Sequence, residues 1–237
     1  MLRLLSLLLA AVIAGCQASP AQVNNNEQQA TQTVNTDMKN NEKALLAAVE
    51  QGDEAAILKL LDEGADINAT DQRGRTPLMV TVHGNRLDLF NLLIEKGADV
   101  NIRDDRSDNP LLYAGAEGML PFVQAAIAAG ADTTLTNRFG GTALIPAADR
   151  GHVDIVRELL TASDVDIDHV NRLGWTALLE AVILGDGGAN HQKIVQLLIE
   201  HGADVNLADG EGITPLQHAK SKGFKEMIEA LEKAGAR

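Results

Sequence analysis

The triplet Gly-Ala-Asp stands at Gly64-Ala65-Asp66, Gly97-Ala98-Asp99 and Gly130-Ala131-Asp132, each 33 residues after the last. It returns at Gly202-Ala203-Asp204, and Gly235-Ala236 lies 33 residues beyond that. A second register runs in step: Thr76-Pro77-Leu78, Asn109-Pro110-Leu111, Thr142-Ala143-Leu144, Thr176-Ala177-Leu178 and Thr214-Pro215-Leu216, at intervals of 33, 33, 34 and 38 residues. A fixed period of this length confines the chain to a solenoid. One small unit recurs, none can bury a core alone, and stacking supplies the core. From Glu42 to Arg237 is 196 residues, close to six units. The longest interval holds extra residues, most simply Asp186-Gly187-Gly188-Ala189-Asn190.

Each unit predicts its own helices. Thr76 or Asn109 offers a side-chain acceptor suited to an N-cap, and Pro77 or Pro110 then takes the first helical position, where a missing N–H costs nothing. That helix runs about two turns to the break at Gly84-Asn85 or Gly151-His152. A second helix follows, with an apolar stripe such as Leu87, Phe90, Leu92 and Leu93, or Val153, Ile155, Val156, Leu159 and Leu160. It stops at the glycine of Gly-Ala-Asp, which can take the left-handed conformation. A polar, turn-forming stretch such as Val100 to Asp108 leads on. Pro146 falls inside a first helix and should remove a bond or shift the start. Ser163-Asp164-Val165-Asp166 replaces the fourth glycine turn, so the fourth and fifth units should be the least regular.

These residues resemble the ankyrin repeat. Gly97-Ala98-Asp99-Val100-Asn101 and Gly202-Ala203-Asp204-Val205-Asn206 stand where that family has its turn, and Gly151-His152-Val153-Asp154-Ile155-Val156 matches the opening of its second helix. The resemblance covers the chain from about Glu42 onward and implies an all-α stack of about six helix pairs with β-turn fingers. The family's His after Thr-Pro-Leu is absent. Met79, Leu112, Ile145, Leu179 and Gln217 hold that position, and apolar packing must replace its hydrogen bonds.

The amino terminus carries a different signal. Arg3 precedes an almost wholly apolar stretch from Leu4 to Ile13, too short to span a bilayer as a stable helix, so residues 1–15 read as a secretory signal. Ile13-Ala14-Gly15-Cys16 resembles a bacterial lipobox, and the chain's only cysteine falls where that motif needs it. The resemblance implies that Cys16 becomes an acylated amino terminus, held to the membrane through lipid. The Asp that retains such proteins at the inner membrane is absent, since Gln17 and Ala18 follow, so an outer-membrane protein facing the periplasm is expected. Residues 16–41 are rich in Asn, Gln, Ala and Thr, and are expected to form a disordered tether to the repeat domain at 42–237.

Charge and composition narrow the partners. The chain has 33 Asp and Glu against 20 Lys and Arg, a net charge of -13, which argues against nucleic acid. Aromatics are 3% of residues, too few for base-stacking platforms or a membrane belt. A mean hydropathy of -0.05 and one cysteine argue against a multi-span membrane protein and a disulfide scaffold. No catalytic constellation, cofactor motif or metal-binding pattern emerges. His83, His152, His169, His191, His201 and His218 are scattered over separate repeats, and Gly185 to Gly188 has neither a preceding strand nor a following Lys. A protein without enzymatic activity is expected.

What remains is a long binding face. The ankyrin resemblance implies that fingers and first helices line a concave side that binds other proteins. Carried over position by position, it points to Arg73, Arg75, Asp105, Arg106, Asp108, Arg138, Phe139, Arg172, Leu173, Trp175 and Ile213, with Gln72 and Glu211 beside them. Arg73, Arg106, Arg138 and Arg172 recur about once per repeat as an arginine row. Phe139, Leu173, Trp175 and Ile213 place large apolar groups where a solvated turn needs none. The expectation is an array, monomeric when unbound, that captures a partner protein at the envelope and neutralises a toxic enzyme as an immunity protein does. The alternative is a scaffold for an envelope enzyme, such as one in peroxide defence.

Overall fold

In four of the pairs the first helix begins where the sequence places its cap, at Thr76, Asn109, Thr176 and Thr214. The computed structural model describes residues 39–237. The lipobox with Cys16 and nearly all of the tether therefore lie outside the described residues. Among the described residues there are twelve helices and no strand. Residues 39–51 are helical (α1), followed by α2 (Glu54–Asp62), α3 (Pro77–His83), α4 (Leu87–Glu95), α5 (Pro110–Glu117) and α6 (Leu120–Ala128). The carboxy-terminal half holds α7 (Leu144–Asp149), α8 (Val153–Ala162), α9 (Ala177–Ile183), α10 (Ala189–Glu200), α11 (Pro215–Lys222) and α12 (Lys225–Lys233).

The caps are physical. Thr76 Oγ1 accepts from Met79 N at 3.2 Å, Asn109 Oδ1 from Leu112 N at 2.9 Å and Thr176 Oγ1 from Leu179 N at 3.2 Å. Thr214 forms a reciprocal capping box with Gln217. Pro146 has the anticipated effect. α7 starts one residue late, Ile145 N bonds Thr142 O at 3.3 Å in a tighter turn, and the buried Thr142 Oγ1 has no partner. At the other end of the pairs, Gly64, Gly97, Gly130, Gly202 and Gly235 adopt φ of 80–93°, which reverses the chain. α8 has no such glycine. It ends at Ser163 in extended conformation, with Ser163 Oγ donating to Leu159 O at 2.6 Å. The insertion in the fifth unit is only partly a loop, because Ala189 and Asn190 join α10, which reaches 12 residues.

The pairs stack in single file. First helices pack on first helices along α3, α5, α7, α9 and α11, and second helices on second helices along α4, α6, α8, α10 and α12. Between the two rows runs one continuous apolar core, from Leu45 and Val49 to Met227 and Leu231. Phe90 and Phe122 meet edge to face, 5.5 Å between centroids. Met79, Leu112, Ile145 and Leu179 are buried in place of the missing histidine, while Gln217 stays exposed.

Polar ties fix the spacing of neighbouring repeats. Asn68 Oδ1 accepts the N–H of Asp99 at 3.0 Å, Asn101 Oδ1 that of Asp132 at 2.8 Å, and Asn206 Oδ1 that of Arg237 at 3.0 Å. Asp168 does the same for Asp204. His152 Nε2 lies 3.1 Å from Ala116 O, and His191 Nε2 lies 2.8 Å from Asp149 O, each reaching back one repeat. These histidines hold the stack together. The recurring Asp-x-Asn of the turn thus has a physical role: Asn bonds the next unit as well as shaping its own.

Candidate functional site

Five fingers project between the helix pairs, and all are built alike. An Asp or Asn at the first position accepts two backbone N–H groups with one oxygen. Asp71 Oδ1 takes those of Arg73 and Arg75 at 2.8 and 2.9 Å. Asp104 takes those of Arg106 and Asp108, Asn137 those of Phe139 and Gly141, Asn171 those of Leu173 and Trp175, and Asp209 those of Glu211 and Ile213. This turn needs positive φ at the fourth position, where Gly74, Gly140, Gly174 and Gly212 serve and Ser107 adopts 63°.

The finger geometry sorts the residues expected at the binding face into two layers. Second and third positions point outward: Arg73, Asp105, Arg106, Arg138, Phe139, Arg172 and Leu173 are exposed, as are Gln72 and Glu211. Fifth positions fold under: Arg75, Asp108, Trp175 and Ile213 are half-buried. Arg75 is held by its own finger, 2.6 Å from Asp71 Oδ2 and 3.6 Å from Glu50. Burial would raise the Asp71 carboxyl, but hydrogen bonds from Arg75 and Arg73 outweigh it and hold it below the usual range. The arginine row changes register midway, with Arg73 and Arg106 at third positions and Arg138 and Arg172 at second positions. Arg138 lies over the Phe139 ring, 4.6 Å from its centroid. Arg172 Nη1 donates to Arg138 O at 2.7 Å, and its backbone N–H to Phe139 O at 3.0 Å. Phe139 and Leu173, the tips of adjacent fingers, are 56% and 58% exposed.

Between these fingers and the first helices α5, α7 and α9 lies a groove of 580 Å³. Arg106, Asp108, Arg138, Phe139 and Leu173 reach it; Arg73, Arg75, Asp105, Arg172, Trp175 and Ile213 do not line it. Its floor comes from residues that the sequence reading did not place at the binding face: Tyr113, Pro146, Asp149 and Glu180, with Leu184 at the edge. Tyr113, Pro146 and Glu180 share one position, two after the leucine of the Thr-x-Leu register, where other repeats carry Val80 and His218. That row was the available signal, a glutamate where the helix is otherwise buried.

The floor is electrostatically uneven. Glu180 is 6% exposed, and Asn171 Nδ2 donates to its Oε1 at 2.8 Å. Burial, then the nearby Asp149 charge, push its carboxyl up to about 7 against the Asn171 bond. Asp108 is raised as well, by burial and then by Asp104. Arg150 is satisfied, 2.7 Å from Glu117 Oε1 and 2.7 Å from Ala116 O. His83 packs against Tyr113, ring centroids 4.1 Å apart, and burial and then Arg75 lower its pKa. Among the described residues no three His, Cys, Asp or Glu side chains are grouped to hold a metal ion. The groove is therefore a mixed surface with exposed apolar tips, paired cations and an acidic floor, suited to grip another protein.

Known proteins share this architecture. Models of ankyrin repeats in three copies match residues 7–104 and 111–209, and a model of many copies matches 188–232. The ankyrin repeat protein YahD of Escherichia coli is 39% identical over 191 residues, covering 81% of this chain and 95% of its own. A crystal structure of an ankyrin repeat domain from Acinetobacter baumannii superposes with a TM-score of 0.79 at 51% identity, covering 81% of this chain and 98% of that one. The immunity protein Bd3460, solved in complex with the Bd0816 predatory endopeptidase of Bdellovibrio bacteriovorus, superposes at 0.66 with 29% identity, covering 81% and 97%. Repeat period, helix pairing, fingers and relatives converge, and the chain belongs to the ankyrin-repeat family.

Proposed function

We propose that this chain is a lipid-anchored immunity protein that captures and neutralises a toxic enzyme acting in the bacterial envelope. The observation that carries the reading is the likeness to Bd3460, an immunity protein seen with its endopeptidase, over 81% of this chain. The apolar leader ending in Ile13-Ala14-Gly15-Cys16 supports a Cys16 lipid anchor. Stable anchoring needs more than one acyl chain, which lipobox processing would supply. The residues between Cys16 and the repeats would let the array reach partners beside the membrane. Gln17 and Ala18, standing where the retention residue would be, support an outer-membrane site facing the periplasm.

Neutralisation is a matter of surface, not chemistry. Fingers three and four, with Phe139 and Leu173 at their tips, would cover the enzyme and exclude its substrate. Deleting the gene and expressing an endopeptidase similar to Bd0816 in the periplasm tests this directly. Loss of survival that the intact gene restores is the expected result; equal survival of both strains would end the proposal. Labelled palmitate should mark the protein, and Cys16→Ser should abolish the label. A partner that keeps full activity when bound would instead make the array a scaffold.

A further inference from the structure

Glu180 is the one ionisable residue that is buried as a whole among the described residues, and no cation balances it; the Asp209 side chain, also buried, has His218 Nε2 at 2.7 Å. A buried carboxylate is ordinarily paired, because removal from water is costly. Here Asn171 supplies one hydrogen bond, and none of the ion pairs among the described residues includes Glu180 or Asp149. The groove's arginines are no substitute. Arg150 is spent on Glu117, Arg138 lies on Phe139, and Arg106 sits near Asp108 at 3.9 Å with most of its side chain in solvent. Cations thus stand at the rim, while the two floor carboxyls have no cation of their own.

Around this floor three large apolar side chains are half or more exposed: Phe139, Leu173 and Leu184. Apolar groups ringing a desolvated polar centre are the arrangement of an interface hot spot, in which water is excluded around one anchor. A metal ion is disfavoured, because the floor offers two carboxylates and no third ligand group. An anionic ligand would meet the wrong charge. A guanidinium suits the place: it is planar, weakly hydrated, always charged, and common in buried interface pairs.

We infer that the groove is an anchor pocket for an arginine of the partner protein, its guanidinium between Glu180 and Asp149 and its apolar neighbours on Phe139, Leu173 and Leu184. This rests on the reading of the array as a protein-capturing module. It adds what the captured surface must carry: an arginine within a short apolar segment that protrudes far enough to enter the groove.

Blocked tripeptides Leu-Arg-Leu, Leu-norleucine-Leu and Leu-Glu-Leu, titrated into the isotope-labelled full chain and followed by NMR, test the pocket. The arginine peptide should bind saturably and shift Glu180, Leu173 and Phe139, at least about tenfold tighter than the norleucine peptide. Glu180→Gln, which keeps size and the Asn171 bond, should remove that preference, and Asp149→Asn should weaken it less. Absence of saturable binding, equal binding of all three peptides, or unchanged arginine preference in Glu180→Gln would overturn the inference. Helical content by circular dichroism confirms that each variant is folded. Survival in the periplasmic challenge is a separate readout. An array that protects cells without Glu180-dependent peptide binding loses the anchor and keeps neutralisation; one that binds through Glu180 without protecting cells does the reverse.

Discussion

Glu180 shows how a single residue can set binding chemistry against stability. Its folded-state pKa of about 7 stands above the ordinary value of 4.5. Between those values the folded chain keeps a proton that the unfolded chain has released, so stability falls as pH rises through that window and levels off above it. Glu180→Gln should flatten this part of the profile. At pH 8 it should be more stable than the native protein by on the order of 2 kcal/mol, seen as a higher urea midpoint; parallel profiles for the two proteins would contradict the assignment. Ser107 is a second isolated cost, the only non-glycine at the fourth finger position, with φ of 63°. Ser107→Gly should stabilise by about 0.5 kcal/mol, the left-handed strain relieved less the added unfolded-state entropy. The two layers of the finger predict opposite outcomes for truncation. Arg75→Ala breaks the contact to Asp71 and should lower the melting temperature with little effect on a partner. Leu173→Ala should leave melting within about 1 °C, because the side chain is exposed, and weaken capture.

At the scale of the helix and the finger, sequence legibility follows the distance over which each feature is decided. The start of α3 is set by Thr76 and Pro77, and the end of α4 by Gly97, all within a few residues, so both could be read from the chain. Pro146 was equally legible, because only local geometry decides what a missing N–H does. The groove was not legible. Asn171 and Glu180 meet within one unit, nine residues apart, but only stacking brings in the charge of Asp149, which lies 31 residues before Glu180 on the preceding pair. The division of the fingers into outer and inner layers is by contrast a local feature, set by turns that close within four residues on Asp71 and its counterparts, and the recurring Asp or Asn four residues before each inner side chain was its signal. Two further outcomes belong to this scale. Pro146→Ala supplies the N–H that lets α7 begin at Ala143 and frees Ile145 N to cap on Thr142 Oγ1, for a gain of about 1 kcal/mol in urea unfolding. The backbone N–H of Asp105 is bonded to Arg73 O, and that of Arg172 to Phe139 O, at 3.0 Å each. Hydrogen exchange at these two amides should be at least about tenfold slower than at Arg138, which holds the same finger position. Equal rates would mean the fingers move independently.

For the whole array, the two hydrogen bonds from Arg172 that pair fingers three and four brace the surface beside the exposed tips Phe139 and Leu173. A preformed surface loses less entropy on binding, which suits a protein whose work is to hold one partner tightly. The net charge of -13 acts over the same scale and pulls in two directions. Within the free array like charges repel, so screening should favour the folded state; toward a basic surface the same field speeds encounter, so screening should slow it. The Debye length shrinks from about 30 Å at 0.01 M salt to about 3 Å at 1 M. Raising sodium chloride across that range should therefore lift the melting temperature of the free protein by a few degrees, while association with a basic partner slows by about tenfold or more. Thermal melts and stopped-flow association on one preparation read both. If association were insensitive to salt while melting rose, the acidic surface would serve only to keep the array soluble and apart from its own copies, and the groove alone would select the partner. If both fell, specific ion pairs such as Arg75 with Asp71 would outweigh the general repulsion in holding the stack.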